Sequence, residues 1–185
     1  IFSKIKETCQ NEIELLEIKI PEITKIICIK FDEVHQIIFD EYKKDFRKEK
    51  DLDPEEERLI CEYAKNKWDT EFVFVTHYPT EKRPFYAKED PEEPSRTLSF
   101  DLLFRGLEIT TGGQRLHHYD EYVGKMKKLG MNIESFDSYL QCFKFGMPPH
   151  GGLGLGLERL TSCICGLANV KEASLFPRDI NRLEP

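Results

Sequence analysis

The segment from residue 150 to residue 160, HGGLGLGLERL, alternates glycine with leucine and then continues into Glu158 and Arg159. Successive side chains of a strand point to opposite faces, so one face would carry leucines and the other only backbone. We expect the leucines to be buried behind the sheet and the glycines to form a floor without side chains. Such a floor suits a planar group such as a purine ring, and the guanidinium fork of Arg159 suits a phosphate.

The common phosphate-binding motifs do not fit this segment. G-x-G-x-x-G requires a glycine at 157 or 159, where Leu157 and Arg159 stand, and the P-loop requires a lysine that is missing. An alternative is that the glycines only let another element pack closely, while Glu158 and Arg159 form an ion pair at the start of a helix. The residues by themselves leave both interpretations open.

A second segment, RGLEITTGGQR at 105 to 115, combines a carboxylate, hydroxyls and an arginine. Regular alternation would place Glu108 and Thr111 on opposite faces, but the glycines at 112 and 113 favour a bend or bulge that changes this. Carboxylate and hydroxyl oxygens suit Mg²⁺, which usually lies between one or two carboxylates and substrate phosphates. Arg115 could bind an acidic substrate group. The alternative is an edge strand with exposed Glu and Thr and a surface arginine.

The elements around these segments predict an α+β fold, an antiparallel β-sheet flanked by helices. Turns and long excursions join the strands, without the strict strand–helix alternation of a doubly wound sheet. Two helices are predicted to begin at the N-caps Asp32 and Asp53, the second with Pro54 at its first position. The other expected helices cover residues 1–18, 117–130, 133–146 and 158–166, and the expected strands lie within 23–31, 70–79, 98–104, 107–115 and 151–157.

The composition excludes several classes of protein. The chain has 185 residues and a net charge of −7, which argues against binding nucleic acid through bulk positive charge. No apolar run approaches the length of a membrane span, and no signal peptide is recognised. The six cysteines form no C-x-x-C pair, so a zinc site is not expected. Scattered free thiols are typical of a protein in a reducing compartment.

Together these segments resemble the class II aminoacyl-tRNA synthetases. GLGLGLERL is similar to their motif 3, which we place at about 150–166, and RGLEITTGGQR is similar to the metal- and amino-acid-binding strand of the aspartyl enzymes. The ending ASLFPRDINRLEP, and the stretch PEEERLICEYAKNKWDTEFVFVTHYPTEKRPFY, resemble the archaeal and eukaryotic cytosolic aspartyl type. The resemblance implies the class II catalytic-domain fold.

The resemblance also implies roles for individual residues. Glu108 would bind Mg²⁺ and ATP, and Thr111, at a position that is usually Ser, would share in binding the metal and the amino acid. Arg115 would pair with the side-chain carboxylate of the substrate aspartate. The ATP-binding segment would be Gly156, Leu157, Glu158 and Arg159. Arg159, on the terminal phosphate, and Glu108 would be the catalytic residues.

The activity implied by the resemblance is that of an aspartate–tRNA ligase. L-aspartate would be activated with ATP and Mg²⁺ to aspartyl-adenylate and transferred to tRNA(Asp) by a cytoplasmic homodimer with no membrane association. One alternative is asparaginyl-tRNA synthetase, which usually has Ser after the GG pair and lacks the FPRD ending. Another is a truncated, non-catalytic paralogue that acts as a binding module.

The resemblance covers only part of a synthetase. Motif 1, motif 2 and an anticodon-binding domain are not recognised in the sequence. Residues 1–185 are therefore expected to be the C-terminal portion of the catalytic domain. This segment alone is expected to be inactive, because the motif 2 arginine that would hold the α-phosphate is not found in it.

Overall fold

The computed structural model describes residues 1–23 and 25–184. Thr24 belongs to the predicted first strand and Pro185 to the predicted C-terminal motif, and both lie outside the described residues. In the described part of the chain, five strands form one sheet with helices on both faces. The predicted α+β class is confirmed.

The strands lie side by side in chain order: β1 Ile27–Lys30, β2 Phe72–Thr76, β3 Ser99–Phe104, β4 Leu107–Gln114 and β5 Gly151–Leu155. The pairs from β2 to β5 are antiparallel, as predicted, whereas β1 and β2 are parallel. The parallel pair arises because two helices connect β1 to β2, and such a crossover returns the chain in the same direction. The sheet is therefore mixed.

The helices are α1 Phe2–Thr8, α2 Gln10–Leu15, α3 Phe31–Tyr42, α4 Pro54–Trp68, α5 Tyr119–Lys128, α6 Asp137–Lys144 and α7 Leu157–Cys165. Short 3₁₀ turns cover Thr80–Lys82, Ile133–Phe136 and Val170–Ala173. The single helix predicted over residues 1–18 is instead two helices, because the backbone at Cys9 departs from helical geometry (φ −124°, ψ 39°). No helix among the described residues is long and apolar enough to cross a membrane.

The two predicted N-caps have different outcomes. The Asp53 carboxylate accepts hydrogen bonds from the backbone of Glu55 and Glu56 at 2.7 and 2.9 Å, so this cap is confirmed. Asp32 is not an N-cap, since α3 begins at Phe31, two residues earlier than predicted, and its cap is Lys30. The helix starts directly at the end of β1, which leaves Asp32 in the first turn, where its carboxylate pairs with Arg96.

Two cores hold the sheet between its helices. On one face, α3 and α4 pack against β2 and β3 through buried residues that include Val34, Ile60 and Val75. On the other face, α1 and α7 cover Phe104 and Ile109. Helices α3 and α4 cover β1, β2 and β3 on this face and α4 also contacts β4, which leaves residues 111–114 of β4 and the neighbouring β5 open for a site.

Candidate active site

A β-bulge brings the side chains of Glu108 and Thr111 to the same face of the sheet. Thr111 pairs with Asp101 and Glu108 pairs with Leu103, with a register shift between Leu102 and Leu103. Strand β4 therefore has one extra residue, Ile109, which reverses the alternation between the two positions. Residues three apart, which would point to opposite faces of a regular strand, now line one cleft.

The bend predicted at Gly112 and Gly113 is at the wrong place, since both glycines pair regularly with β3 and β5. Their lack of a side chain is required by close packing. A Cβ atom at Gly112 would lie 2.7 Å from the carbonyl oxygen of Gly152, and one at Gly113 would lie 2.8 Å from Cα of Ser99. The glycines thus let three strands approach one another, and the bulge lies upstream of them.

The sequence did not identify Arg83, which lines the cleft, or its buried partner Asp101. The Arg83 guanidinium donates to both carboxylate oxygens of Asp101 at 3.1 and 2.6 Å. The hydroxyl of Thr111 donates to Asp101 at 2.6 Å and accepts from Arg83 at 3.1 Å. Fork-to-fork pairing of this kind fixes both side chains, so Thr111 belongs to a closed polar network.

Arg83 is held from below by an aromatic ring. Its guanidinium carbon lies 3.7 Å from the centre of the ring of Tyr78, which is buried. Burial alone would lower the pKa of Arg83, but the hydrogen bond to Asp101 and its negative charge outweigh burial and raise the pKa. Arg83 comes from the loop between β2 and β3, whose proline-rich sequence EKRPFYAKEDPEEPSRT has no periodicity, so the sequence pattern gave no signal for it.

Arg115 lies at the end of the cleft between an aromatic ring and a glycine. Its guanidinium carbon is 4.6 Å from the centre of the Tyr86 ring, and a Cβ atom at Gly152 would lie 3.2 Å from its Nη2 atom. A backbone bridge between Ala87 and Arg115 joins the loop that carries Tyr86 to the end of β4. The arginine is therefore positioned by contacts on two sides.

The predicted ATP-binding segment closes around the bulge. The N–H of Gly156 donates to the carbonyl oxygen of Ile109 at 2.9 Å. Arg159 donates through Nη1 to the carbonyl oxygen of Glu108 at 2.8 Å and to its carboxylate at 3.3 Å. The structure therefore brings Glu108 and Arg159 together. The alternative ion pair between Glu158 and Arg159 does not form among the described residues.

The other residues of this segment are on the surface. Leu157 and Glu158 are exposed in the first turn of α7. The leucines of β5 are exposed too, with 65% of Leu153 and 43% of Leu155 accessible, so the expectation that they are buried is wrong. Because β5 is the last strand of the described sheet, the core on this face ends at Ile109 and α7.

The carboxylates of Glu108 and Glu57 have pKa values above their usual range. Burial and the neighbouring charge of Asp101 raise the pKa of Glu108, although Arg159 opposes the change. Burial also raises the pKa of Glu57, beneath Glu108, to about 7. A cation placed near Glu108 would relieve this repulsion.

The donor set fits Mg²⁺ brought in with phosphates better than a metal held by protein alone. No group of three or more His, Cys, Asp or Glu in the described residues could hold a metal ion by itself. Mg²⁺ keeps several waters and takes one or two carboxylates together with substrate phosphates. Glu108 can provide one such carboxylate. The Thr111 hydroxyl is already bonded to Asp101 and Arg83, so its contribution would need that network to rearrange.

These residues line a cleft of about 550 Å³. Its walls include Arg83, Glu108, Thr111, Arg115 and Gly152–Gly154. A cleft of this volume, lined by two arginines, the carboxylate of Glu108 and a glycine floor, can bind a small acidic molecule beside a nucleotide.

Comparison with known proteins decides the family. The model of the class II tRNA synthetases (D, K and N) matches residues 1–180. The chain belongs to this family. This match confirms the resemblance of its motifs to the class II synthetases. Relatives that carry the name aspartate–tRNA ligase confirm the resemblance to the aspartyl enzymes.

Among the curated relatives, the aspartate–tRNA(Asp/Asn) ligase of Thermus thermophilus is 56% identical over 73% of this chain and 32% of its own length. The enzyme of that name from Aeropyrum pernix is 42% identical over the whole chain and 42% of its own length. This member of the class II family therefore spans less than half the length of the curated relatives it matches.

Solved structures of the same family share the fold. The aspartyl-tRNA synthetase of Entamoeba histolytica superposes with a TM-score of 0.92 at 29% identity, over all of this chain and 39% of that one. The asparaginyl-tRNA synthetase of Pyrococcus horikoshii, complexed with asparaginyl-adenylate, gives a TM-score of 0.88 at 30% identity, over all of this chain and 42% of that one. Both specificities thus occur on this class II framework.

Proposed function

We propose that the protein to which this chain belongs is an aspartate–tRNA ligase and that residues 1–185 are the C-terminal portion of its catalytic domain. The observation that carries the proposal is Arg115, held at the end of the cleft by Tyr86 and Gly152 beside the Arg83–Asp101 pair. A positioned guanidinium in a half-buried site selects a carboxylate. Relatives named aspartate–tRNA ligase, 42 to 56% identical, support the same activity.

In the proposed reaction, the α-carboxylate of L-aspartate attacks the α-phosphorus of ATP, which gives aspartyl-adenylate and releases pyrophosphate. The aspartyl group then passes to the terminal ribose of tRNA(Asp). This chemistry depends mainly on orientation and charge neutralisation. Mg²⁺, when bound, would supply positive charge to the phosphate oxygens, and Glu108 and Thr111 are the residues proposed to hold it.

The residues of this chain would divide the work between two substrates. Arg115 binds the side-chain carboxylate of aspartate, while Thr111 lies beside it in the Asp101 network. The segment from Gly156 through Leu157 and Glu158 to Arg159 contacts ATP, with Arg159 directed to the terminal phosphate. The Arg159 guanidinium now lies against the carboxylate of Glu108, and its positive charge would bind the phosphate from that position.

Discrimination against asparagine is electrostatic. An amide in place of the substrate carboxylate would leave the Arg115 guanidinium without a counter-charge. Leaving a buried charged donor unpaired costs about 3 kcal/mol or more, which corresponds to at least about 100-fold in specificity.

The decisive experiment is amino-acid-dependent exchange of labelled pyrophosphate into ATP by the full-length protein. We expect exchange with aspartate and less than about 1% of that rate with asparagine. Exchange with asparagine alone would identify an asparaginyl enzyme. Exchange with neither amino acid, in a folded full-length protein, would favour the non-catalytic binding module.

We also propose that the ligase is a cytoplasmic homodimer that charges tRNA(Asp), as the family resemblance implies. Several relatives carry the name aspartate–tRNA(Asp/Asn) ligase, which makes tRNA(Asn) a second candidate substrate. Charging of each purified tRNA with labelled aspartate separates the two possibilities.

A further inference from the structure

The peptide groups of the β4 bulge are bound from outside the sheet. The carbonyl oxygens of Glu108 and Ile109 accept from Arg159 at 2.8 Å and from Gly156 at 2.9 Å. On the opposite side, the N–H of Glu108 donates to Oε2 of Glu57 at 2.9 Å. A bulge disrupts the regular ladder, so its conformation depends on such additional partners.

Glu57 is presented by a rigid element. It lies in the first turn of α4, whose N-terminus is fixed by Asp53 and by the return bond from the Asp53 N–H to Glu56 at 2.9 Å. The same helix is anchored in the core by Ile60 and Ala64, which are 0% and 1% exposed. The half-buried Glu57 carboxylate therefore reaches the bulge from a fixed origin.

Arg159 and Glu57 differ in how permanent their contacts with Glu108 are. In the proposed function Arg159 also binds ATP, so its bonds to Glu108 are shared with or lost to the nucleotide. The Glu57 carboxylate hydrogen-bonds only to the N–H of Glu108 within the described residues, and it forms no salt bridge there. This bond can persist when the cleft is filled.

We propose that Glu57 is a positioning residue for Glu108. By binding the Glu108 N–H, it fixes the bulge that directs the Glu108 carboxylate into the cleft, and it does so while Arg159 is engaged elsewhere. Glu57 does not touch the substrates. Its effect on Mg²⁺-dependent ATP binding rests on the proposed function, whereas its effect on the Glu108 amide does not.

Amide hydrogen exchange of the full-length protein without ligands tests the contact directly. In Glu57→Ala, the Glu108 amide should exchange at least about tenfold faster than in the wild type. Glu57→Gln retains an acceptor oxygen and should remain close to the wild-type rate. Glu55→Ala, which removes a half-exposed carboxylate that pairs with Lys44 in the same helical turn, is the matched control and should not change it. An unchanged rate in Glu57→Ala would overturn the proposal.

Titration of ATP binding with Mg²⁺ tests the consequence. Glu57→Ala should raise the Mg²⁺ concentration for half-maximal ATP binding about tenfold, as is typical when a partner of a metal ligand is removed. The Kd for aspartate should change less than about twofold, and Glu57→Gln should behave as the wild type. Equal weakening of both ligands, or a loss in Glu57→Gln as large as in Glu57→Ala, would contradict positioning through this hydrogen bond.

The two measurements also separate this proposal from the proposed function. A wild-type protein that binds no aspartate would contradict the ligase assignment. The hydrogen-exchange comparison would still decide whether Glu57 fixes Glu108.

Discussion

At one end of the cleft, Arg115 lies between Tyr86 and Gly152, and Arg83 is paired with Asp101. At the other end, the side chain of Arg159 is 46% exposed. In the terms of the proposed function, we call these the amino-acid end and the nucleotide end. At the first end Arg83 and Arg115 are each held against an aromatic ring, whereas at the second the half-exposed Arg159 is held only by its bonds to Glu108 among the described residues. Substitutions at the amino-acid end should therefore change selectivity sharply, and those at the nucleotide end should act mainly on ATP.

The largest effect is expected from Arg115→Ala. Loss of the guanidinium should reduce kcat/KM for aspartate by about 10³-fold, because the substrate carboxylate would be desolvated without a counter-charge. ATP affinity should change less than about threefold. Arg115→Lys keeps the charge but loses the fork and should be intermediate. Steady-state pyrophosphate exchange measures the first quantity and equilibrium titration the second. An equal loss of both would place Arg115 at the nucleotide.

Smaller effects, each on a different substrate, are expected from substitutions of two glycines of β5. In Gly152→Ala, the new methyl group would press on the Arg115 guanidinium, which should raise KM for aspartate about tenfold. A methyl group added at Gly154 would meet no atom of the described residues within 4 Å beyond its chain neighbours. Gly154→Ala should therefore leave the thermal midpoint unchanged and weaken ATP binding by occupying the glycine floor. Comparison of aspartate KM with ATP Kd in both variants tests this division. Identical profiles would show that the two ends are not independent.

The smallest effect is expected from Lys125→Met, beyond the amino-acid end. Lys125 is buried and donates to the carbonyl oxygen of Ala87 at 2.7 Å, which secures the loop that carries Arg83 and Tyr86. Its loss should raise KM for aspartate about threefold, the value of one modest hydrogen bond. A larger effect on ATP than on aspartate would contradict the role given to this loop.

The same variant carries a pH signature. Burial lowers the pKa of Lys125 below its usual 10.5, so between the two values the unfolded chain binds more protons than the folded one. The free energy of unfolding contributed by this group therefore rises with pH across that window. The thermal midpoint of the wild type should therefore rise relative to that of Lys125→Met as pH is raised toward 10.5. A constant difference would show that the lysine is not desolvated.

The fold class could be predicted from the sequence because its signals are local. Short apolar runs bounded by turn residues identified the strands, and the Asp53–Pro54 pair identified the start of α4. The predicted N-cap at Asp32 failed because α3 follows β1 without a loop, and the cap was set by where the strand ends. The parallel β1–β2 pair likewise follows from a crossover through two helices, which local patterns do not specify.

The candidate site was predicted in its residue types but only partly in its geometry. Glu108, Thr111 and Arg115 line one cleft and Arg159 contacts Glu108, while the roles of all four remain predictions. Arg83 was missed because its partner, Asp101, lies 18 residues away along the chain. Glu57 was missed for the same reason, since 51 residues separate it from Glu108. Pairs so distant in sequence leave no periodic trace.

The sequence by itself determined which groups are available: glycines without a Cβ atom on one strand, a carboxylate and an arginine on the next, and an arginine at the start of a helix. Tertiary structure decided which of them face one another. The extra residue at Ile109 turned Glu108 toward Thr111, and the terminal place of β5 left its leucines exposed. Side-chain type and alternation are local properties, whereas strand register and burial depend on what packs alongside.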